Sequence, residues 1–144
     1  MQKFKLPNDL EITLRQPLVK DVESLDKWLR QIYTQQANDT VKMLPDTVQK
    51  QFMLDVLDKA MMLSSQFGDG RSMLFANVYG TVRFMYSHIA ESDTLTFEQF
   101  HEILFKDGFI VDAGVNALAD MLRMMYPDNP QVQSAVEHVR SNGG

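Results

Sequence analysis

The stretch from Ser72 to Ala90 reads SMLFANVYGTVRFMYSHIA, and its periodicity is that of a deeply buried helix. Placed at about 100° per residue, its large apolar side chains share one broad face. These are Leu74, Phe75, Val78, Tyr79, Val82, Met85, Tyr86 and Ile89. The other side holds Gly80, and glycine inside a helix costs roughly 1 kcal/mol relative to alanine. We therefore predict one central helix, with Gly80 allowing the close approach of another.

Two helices are predicted on the N-terminal side of this stretch. The first follows Pro17, with Asp21 as its N-cap, and is broken by Asn38-Asp39-Thr40. The second begins near Pro45-Asp46 and runs to about Ser64, before a connecting turn at Gly68-Asp69-Gly70.

Three more helix starts are predicted on the C-terminal side. They are marked by a capping box of Thr96 with Gln99, by Asp112 as a cap, and by Asn129-Pro130. The first of these helices is predicted to end at Asp107-Gly108 and the second before Pro127. The third is a short last helix through Val132, Val136 and Val139.

The first fifteen residues have the alternating pattern of β-strands rather than helices. Apolar Phe4, Leu6, Leu10, Ile12 and Leu14 alternate with polar residues, and Pro7-Asn8-Asp9 between them is typical of a turn. This predicts a β-hairpin whose apolar face packs on the helices or joins another sheet. The predicted fold is mainly α (α+β), a bundle of five to six helices with an N-terminal hairpin. We expect one domain over 1–144, with 141–144 as a flexible tail.

Composition excludes several classes of function. The chain has 144 residues, a net charge of -5 and no cysteine, which excludes disulfides and thiolate metal sites. Basic residues are scattered, whereas a nucleic-acid binder needs a basic stripe. The N-terminus lacks the apolar core of a signal peptide, and no apolar run is long enough for a membrane span. We therefore expect no nucleic acid and no membrane as partners.

No arrangement of residues indicates catalysis, a metal or a cofactor. His88, His101 and His138 lack metal-binding spacing, and Ser87-His88 lacks the turn motif of a serine hydrolase. The carboxylate pairs Asp55 with Asp58 and Glu98 with Glu102 fit solvated helix faces better than acid/base catalysis. The segment Gly68–Ser72 lacks the spacing of a phosphate-binding loop. These observations favour a non-enzymatic protein without a cofactor or metal.

Partner contact is predicted on the second helix. Its apolar residues cover more than half its circumference, although one core contact needs little more than 100°. The second row, Leu54, Leu57 and Met61, should therefore meet another helix of the domain or a partner. Met124, off its own apolar stripe, is the other candidate. Most of the ten methionines fit ordinary core filling, but exposed methionine suits surfaces that accept varied apolar partners.

Two segments resemble the tail assembly chaperones of long-tailed bacteriophages. Residues Leu6 to Val22 are similar to their opening turn, a strand ending in a Leu-Arg-x-Pro-like step, and a helix started by an acidic residue. Residues Phe84 to Leu104 resemble their later helix pair. Together the segments cover about a quarter of the chain.

The resemblance implies a non-catalytic, self-associating protein of the host cytoplasm that holds the helical, apolar tape-measure protein during tail assembly. It also implies absence from the finished virion. The family often has a longer, frameshifted form, but this sequence lacks the Lys or Gly-Lys pair near its C-terminus that would indicate one. Two alternatives remain: a structural tail or baseplate component retained in the virion, whose hairpin adds to a neighbour's sheet, and a small enzyme with an unrecognised site.

Overall fold

A computed structural model describes residues 2–76, 78–105 and 112–130, together with residues 134 and 137. Within these residues, two antiparallel strands are followed by six helices. The elements are β1 (Gln2–Lys5), β2 (Glu11–Leu14), α1 (Val19–Val41), α2 (Asp46–Met62), α3 (Gly68–Phe75), α4 (Val78–Tyr86), α5 (Phe97–Leu104) and α6 (Asp112–Met125). The fold is therefore a mainly helical α+β bundle with an N-terminal hairpin, which confirms the predicted fold class.

The central stretch forms two helices, α3 and α4, instead of the single helix predicted from Ser72 to Ala90. The rings of Phe75 and Phe84 meet edge to face with centroids 4.9 Å apart. Nine residues of continuous helix would separate them by about 13 Å along the axis, so the chain folds back on itself. The broad apolar face seen in the sequence is thus the sum of two faces on separate helices.

Gly80 makes this fold-back possible. A Cβ atom placed on Gly80 would lie 2.4 Å from the carbonyl oxygen of Leu74, which is far inside van der Waals contact. The predicted close approach at Gly80 is confirmed, although its partner is the end of α3 rather than a distant helix. The Gly68-Asp69-Gly70 segment also differs from prediction, because it forms the first turn of α3.

Helix α1 differs from prediction at both ends. Asp21 is the third helical residue, not the N-cap, and its carboxylate accepts a hydrogen bond of 2.9 Å from the backbone N–H of Leu18. Asn38-Asp39-Thr40 does not break the helix, which continues to Val41. Buried Ala37 and the packing of α1 on α2 hold this last part helical against its weak intrinsic propensity.

The hairpin packs onto the helical core through one face. Leu6, Ile12 and Leu14 are buried, while Leu10 is exposed, against the prediction from alternation. Leu10 lies beside the turn, where Asp9 has a φ of 68°. On its other side β2 bonds to the segment after α4: the N–H of Arg15 donates to the His88 carbonyl at 2.8 Å, and that of Ala90 to the Thr13 carbonyl at 2.9 Å.

The C-terminal helix starts agree with prediction where the structure describes them. The Thr96 side chain accepts from the N–H of Gln99 at 3.2 Å, and the Gln99 side chain accepts from the N–H of Thr96 at 2.9 Å. Helix α6 begins at Asp112 and ends at Met125, before Pro127. The predicted stop at Asp107-Gly108, the last helix through Val132, Val136 and Val139, and the tail 141–144 lie outside the described residues.

One apolar cluster joins the hairpin to most of the helices. Its largest fully buried members come from β2 and from four or more helices, and they include Ile12, Leu25, Phe84, Phe100 and Leu118. Among the described residues, α2 contributes no side chain to this cluster. Helix α2 is therefore attached to the bundle mainly through α1.

Candidate protein-binding surface

Helix α2 has one buried face and one exposed apolar face. Val56 and Ala60 are buried on the inner side, and α1 is the helix that α2 contacts most. The pattern of buried residues recurs at the four-residue spacing that places side chains on one side of a helix. Several of the other apolar residues of α2 stay exposed to solvent.

The outward-facing residues are those predicted to contact a partner. Leu54, Leu57 and Met61, which we call the α2 row, are 47%, 49% and 78% exposed. Their spacing of three and seven residues aligns them on one face. No element in the described part of the chain buries them. The two predicted possibilities were another helix of the domain and a partner, and among the described helices none covers this row.

A surface cleft lies beside the α2 row, where α2 gives way to α3. The cleft has a volume of about 480 Å³ and is lined in part by Met62, Leu63 and Phe67. Met62 is 82% exposed and Phe67 is 69% exposed, so both extend the apolar surface. The Met61-Met62 pair in the sequence pointed to the exposed position of Met62. Phe67 had no such signal, because it lies in a segment predicted as a plain connection.

The cleft is acidic. Asp55, Asp58 and Asp69 line it together with a single cation, Lys59. The ammonium of Lys59 lies 3.8 Å from an Asp69 carboxylate oxygen and 6.0 Å from the centre of the Tyr33 ring. Within the described ranges, no cation lies within ion-pair distance of Asp55 or Asp58. The apolar surface therefore has an uncompensated negative border.

Met124 differs from the other predicted partner-binding residues. It is half-buried and packs against the main apolar cluster, rather than pointing away from the core as the helical wheel predicted. The wheel placed the polar side of α6 correctly, since Asn116, Asp120 and Arg123 are exposed. A role for Met124 in partner contact stays a prediction, and Met124 does not join the α2 row.

The methionines divide between core and surface. Met85 and Met121 are fully buried, which fits the core-filling interpretation. Met43, Met61 and Met62 are strongly exposed, and all three lie in or beside α2. Flexible, polarizable side chains are thus concentrated on the exposed helix.

A buried polar cluster occupies the opposite part of the molecule. His88 is fully buried, and its Nδ1 lies 3.0 Å from the Phe84 carbonyl oxygen while its Nε2 lies 2.6 Å from the Tyr126 hydroxyl. Desolvation lowers the pKa of His88 to about 4, so the ring is neutral at pH 7. Because the Phe84 carbonyl can only accept, Nδ1 donates to it and Nε2 accepts from the tyrosine.

This cluster fastens elements together and lacks the access that catalysis needs. The Ser87 hydroxyl donates to the Phe84 carbonyl oxygen at 2.5 Å and is itself buried, so it is not a free nucleophile. The Arg71 guanidinium lies over the rings of Phe84 and Tyr126, at 5.3 and 5.9 Å from their centres. The arrangement ties the ends of α4 and α6 to α3.

A second cleft of about 350 Å³ surrounds the partly buried Arg83. Its guanidinium lies 4.9 Å from the centre of the Phe97 ring and 5.7 Å from that of Trp28. Burial lowers the pKa of Arg83. The cleft is also lined by Asp21 and Glu98, so an anionic ligand would meet two carboxylates there. Packing of the cation on aromatic rings accounts for this site.

The described ranges contain no group of three or more His, Asp or Glu side chains that could hold a metal ion. None of the helices within them has the length and apolar content required to cross a membrane. The chain matches no protein-family model, no curated protein and no solved structure.

Proposed function

We propose that this chain is a non-catalytic assembly protein that binds a helical, apolar protein partner through α2. In its more specific form, the proposal is a tail assembly chaperone that holds the tape-measure protein in the host cytoplasm. The specific form rests on the resemblance of residues 6–22 and 84–104 to that family. The binding surface rests on one observation, the exposure of the α2 row on a helix outside the main apolar cluster.

The energetics of burial support a binding role. Fully burying a Leu or Met side chain contributes about 1.5–3 kcal/mol, and Leu54, Leu57 and Met61 still expose 47%, 49% and 78% of their surface. A few such residues at the centre of an interface dominate binding energy. Contiguous exposed apolar residues bordered by charge are typical of protein-interaction sites.

The binding surface is tested with the double variant Leu57→Asp/Met61→Asp. Both side chains are exposed, so we expect an unchanged circular dichroism spectrum and loss of the tape-measure protein in co-expression pull-downs. The matched control is Val19→Asp/Met43→Asp, which makes the same change at two exposed apolar residues outside the row. A folded α2 variant that still binds would remove this surface from the proposal.

The chaperone role is tested separately from the surface. A chaperone is captured with the tape-measure protein before assembly and is absent from purified mature particles. Detection of the chain in mature particles by mass spectrometry would instead identify a structural tail component. Self-association, which the resemblance also implies, is tested by light scattering over a range of protein concentrations.

A further inference from the structure

We infer that the α2 surface selects a partner helix whose apolar stripe is bordered by Lys or Arg, rather than an apolar helix of any charge. The inference rests on the proposed binding role and defines the chemistry of the partner. It is carried by the position of two aspartates among the exposed apolar residues of α2.

Asp58 lies between the two parts of the apolar surface. It is four residues from both Leu54 and Met62 and three from Met61, and residues at these spacings are neighbours on a helix. Asp55 lies one turn earlier, three residues from Asp58. A helix seated on the α2 row and reaching the cleft at Met62 therefore has to pass these carboxylates.

The two carboxylates are available to a partner. Asp55 accepts a hydrogen bond of 2.9 Å from the Gln51 side chain, a neutral donor that leaves its charge in place. Lys59, the one cation lining the cleft, is already opposite Asp69. Covering the surface would desolvate Asp55 and Asp58, which is costly unless the partner supplies opposite charges.

The same charges argue against a second copy of this chain as the occupant. A two-fold contact buries the same patch on both subunits, so Asp55 and Asp58 of both copies would enter one interface and add four negative charges to it. The chain is also acidic as a whole, with a net charge of -5. These charges favour a basic partner protein over a second copy of this chain.

The shape of the surface fits a helix better than an extended peptide. Apolar residues at positions 54, 57 and 61 follow the spacing by which one helix packs its stripe along another. Exposed Met61 and Met62 adapt to different apolar side chains, so the apolar residues distinguish poorly between partner helices. Selectivity for one partner helix over another then comes from the bordering charges of Asp55 and Asp58.

Two synthetic helix-forming peptides test the inference with the full chain. Both have leucines at the spacing i, i+3, i+4 and i+7; one has lysines beside the stripe, and the other has glutamates. In fluorescence anisotropy at low ionic strength, we expect the lysine peptide to bind about tenfold more tightly. The difference should shrink as salt is raised towards about 1 M, where the screening length falls to about 3 Å.

The variant Asp55→Asn/Asp58→Asn should lose this preference while retaining its affinity for the glutamate peptide. Asp39→Asn/Asp128→Asn makes the same change at exposed positions away from α2 and should keep the preference. Equal binding of both peptides, abolished by Leu57→Asp/Met61→Asp, would overturn the charge selection but leave the binding surface standing. Binding of neither peptide would overturn the inference, whereas the proposed function is decided independently by the pull-down with the tape-measure protein.

Discussion

The Nε2 atom of His88 lies 2.6 Å from the hydroxyl oxygen of Tyr126, which is 38 residues further along the chain. This hydrogen bond joins the segment after α4 to the residue after α6. Since His88 is fully buried, its acceptor nitrogen depends on that one hydroxyl for a donor.

Removing the hydroxyl should therefore destabilise the fold. Tyr126→Phe keeps the ring but leaves Nε2 buried without a donor, and we expect a loss of about 1–3 kcal/mol in the free energy of unfolding. Urea denaturation measures the change. Tyr79→Phe removes a hydroxyl from an exposed tyrosine and should stay within about 0.5 kcal/mol of the parent protein. Equal effects of the two substitutions would contradict the role assigned to this hydrogen bond.

The buried imidazole should also make stability depend on pH. The pKa of His88 is about 4 in the folded chain, below its ordinary value of 6.5, so the unfolded state binds the proton more readily. The stabilisation is fully present above pH 6.5 and is lost as the pH falls towards 4, by about 3 kcal/mol in all.

Denaturation curves measured between these pH values check this expectation. Burial also lowers the pKa of His101, so His101 adds a pH dependence of its own. The effect of His88 is therefore measured in a His101→Gln variant, where that contribution is removed. In that background, a free energy of unfolding that stays constant from pH 7 to pH 4 would contradict the burial of a neutral His88.

Gly80 is expected to tolerate no side chain. Gly80→Leu should destabilise by roughly 1–3 kcal/mol, although leucine has the better helix propensity, because a Cβ atom there meets the Leu74 carbonyl. Thermal and urea denaturation give the change. Asn116→Ala, at an exposed position of α6, gains helix propensity without a clash and should be neutral or slightly stabilising. A stabilised Gly80→Leu variant would show that α3 and α4 are not packed as described.

The chain is expected to fold without a metal ion. Thermal melts with and without EDTA should superimpose, because neither the sequence motifs nor the described part of the structure provides a cluster of ligands. A melting temperature several degrees lower after chelation would reveal a bound ion that contributes to stability.

Features set by neighbouring residues were predictable from the sequence. The capping box of Thr96 and Gln99 and the turn of the hairpin depend on chemistry within three or four residues, and the structure has both. Periodicity also separated Leu54, Leu57 and Met61 from the face centred on Val56, but it left open whether another helix of the domain or a partner covers them.

Features set by distant contacts were not predictable in this way. The break between α3 and α4 depends on Phe75 meeting Phe84, and periodicity does not distinguish one wide face from two faces folded together. The burial of His88 depends on Tyr126 in the same manner. Phe67 adds to the exposed apolar surface beside α2 because the chain turns into α3 at that residue.

The attachment of α2 mainly to α1 has a consequence for the motions of the molecule. Because the described part of α2 adds nothing to the main apolar cluster, its local unfolding sacrifices far less buried surface than the unfolding of α4. Backbone amides of α2 should then exchange their hydrogens with solvent long before those of α4. A partner bound on Leu57 and Met61 would slow that exchange. The hydrogen-exchange rates of the α2 amides would therefore report whether the surface is occupied.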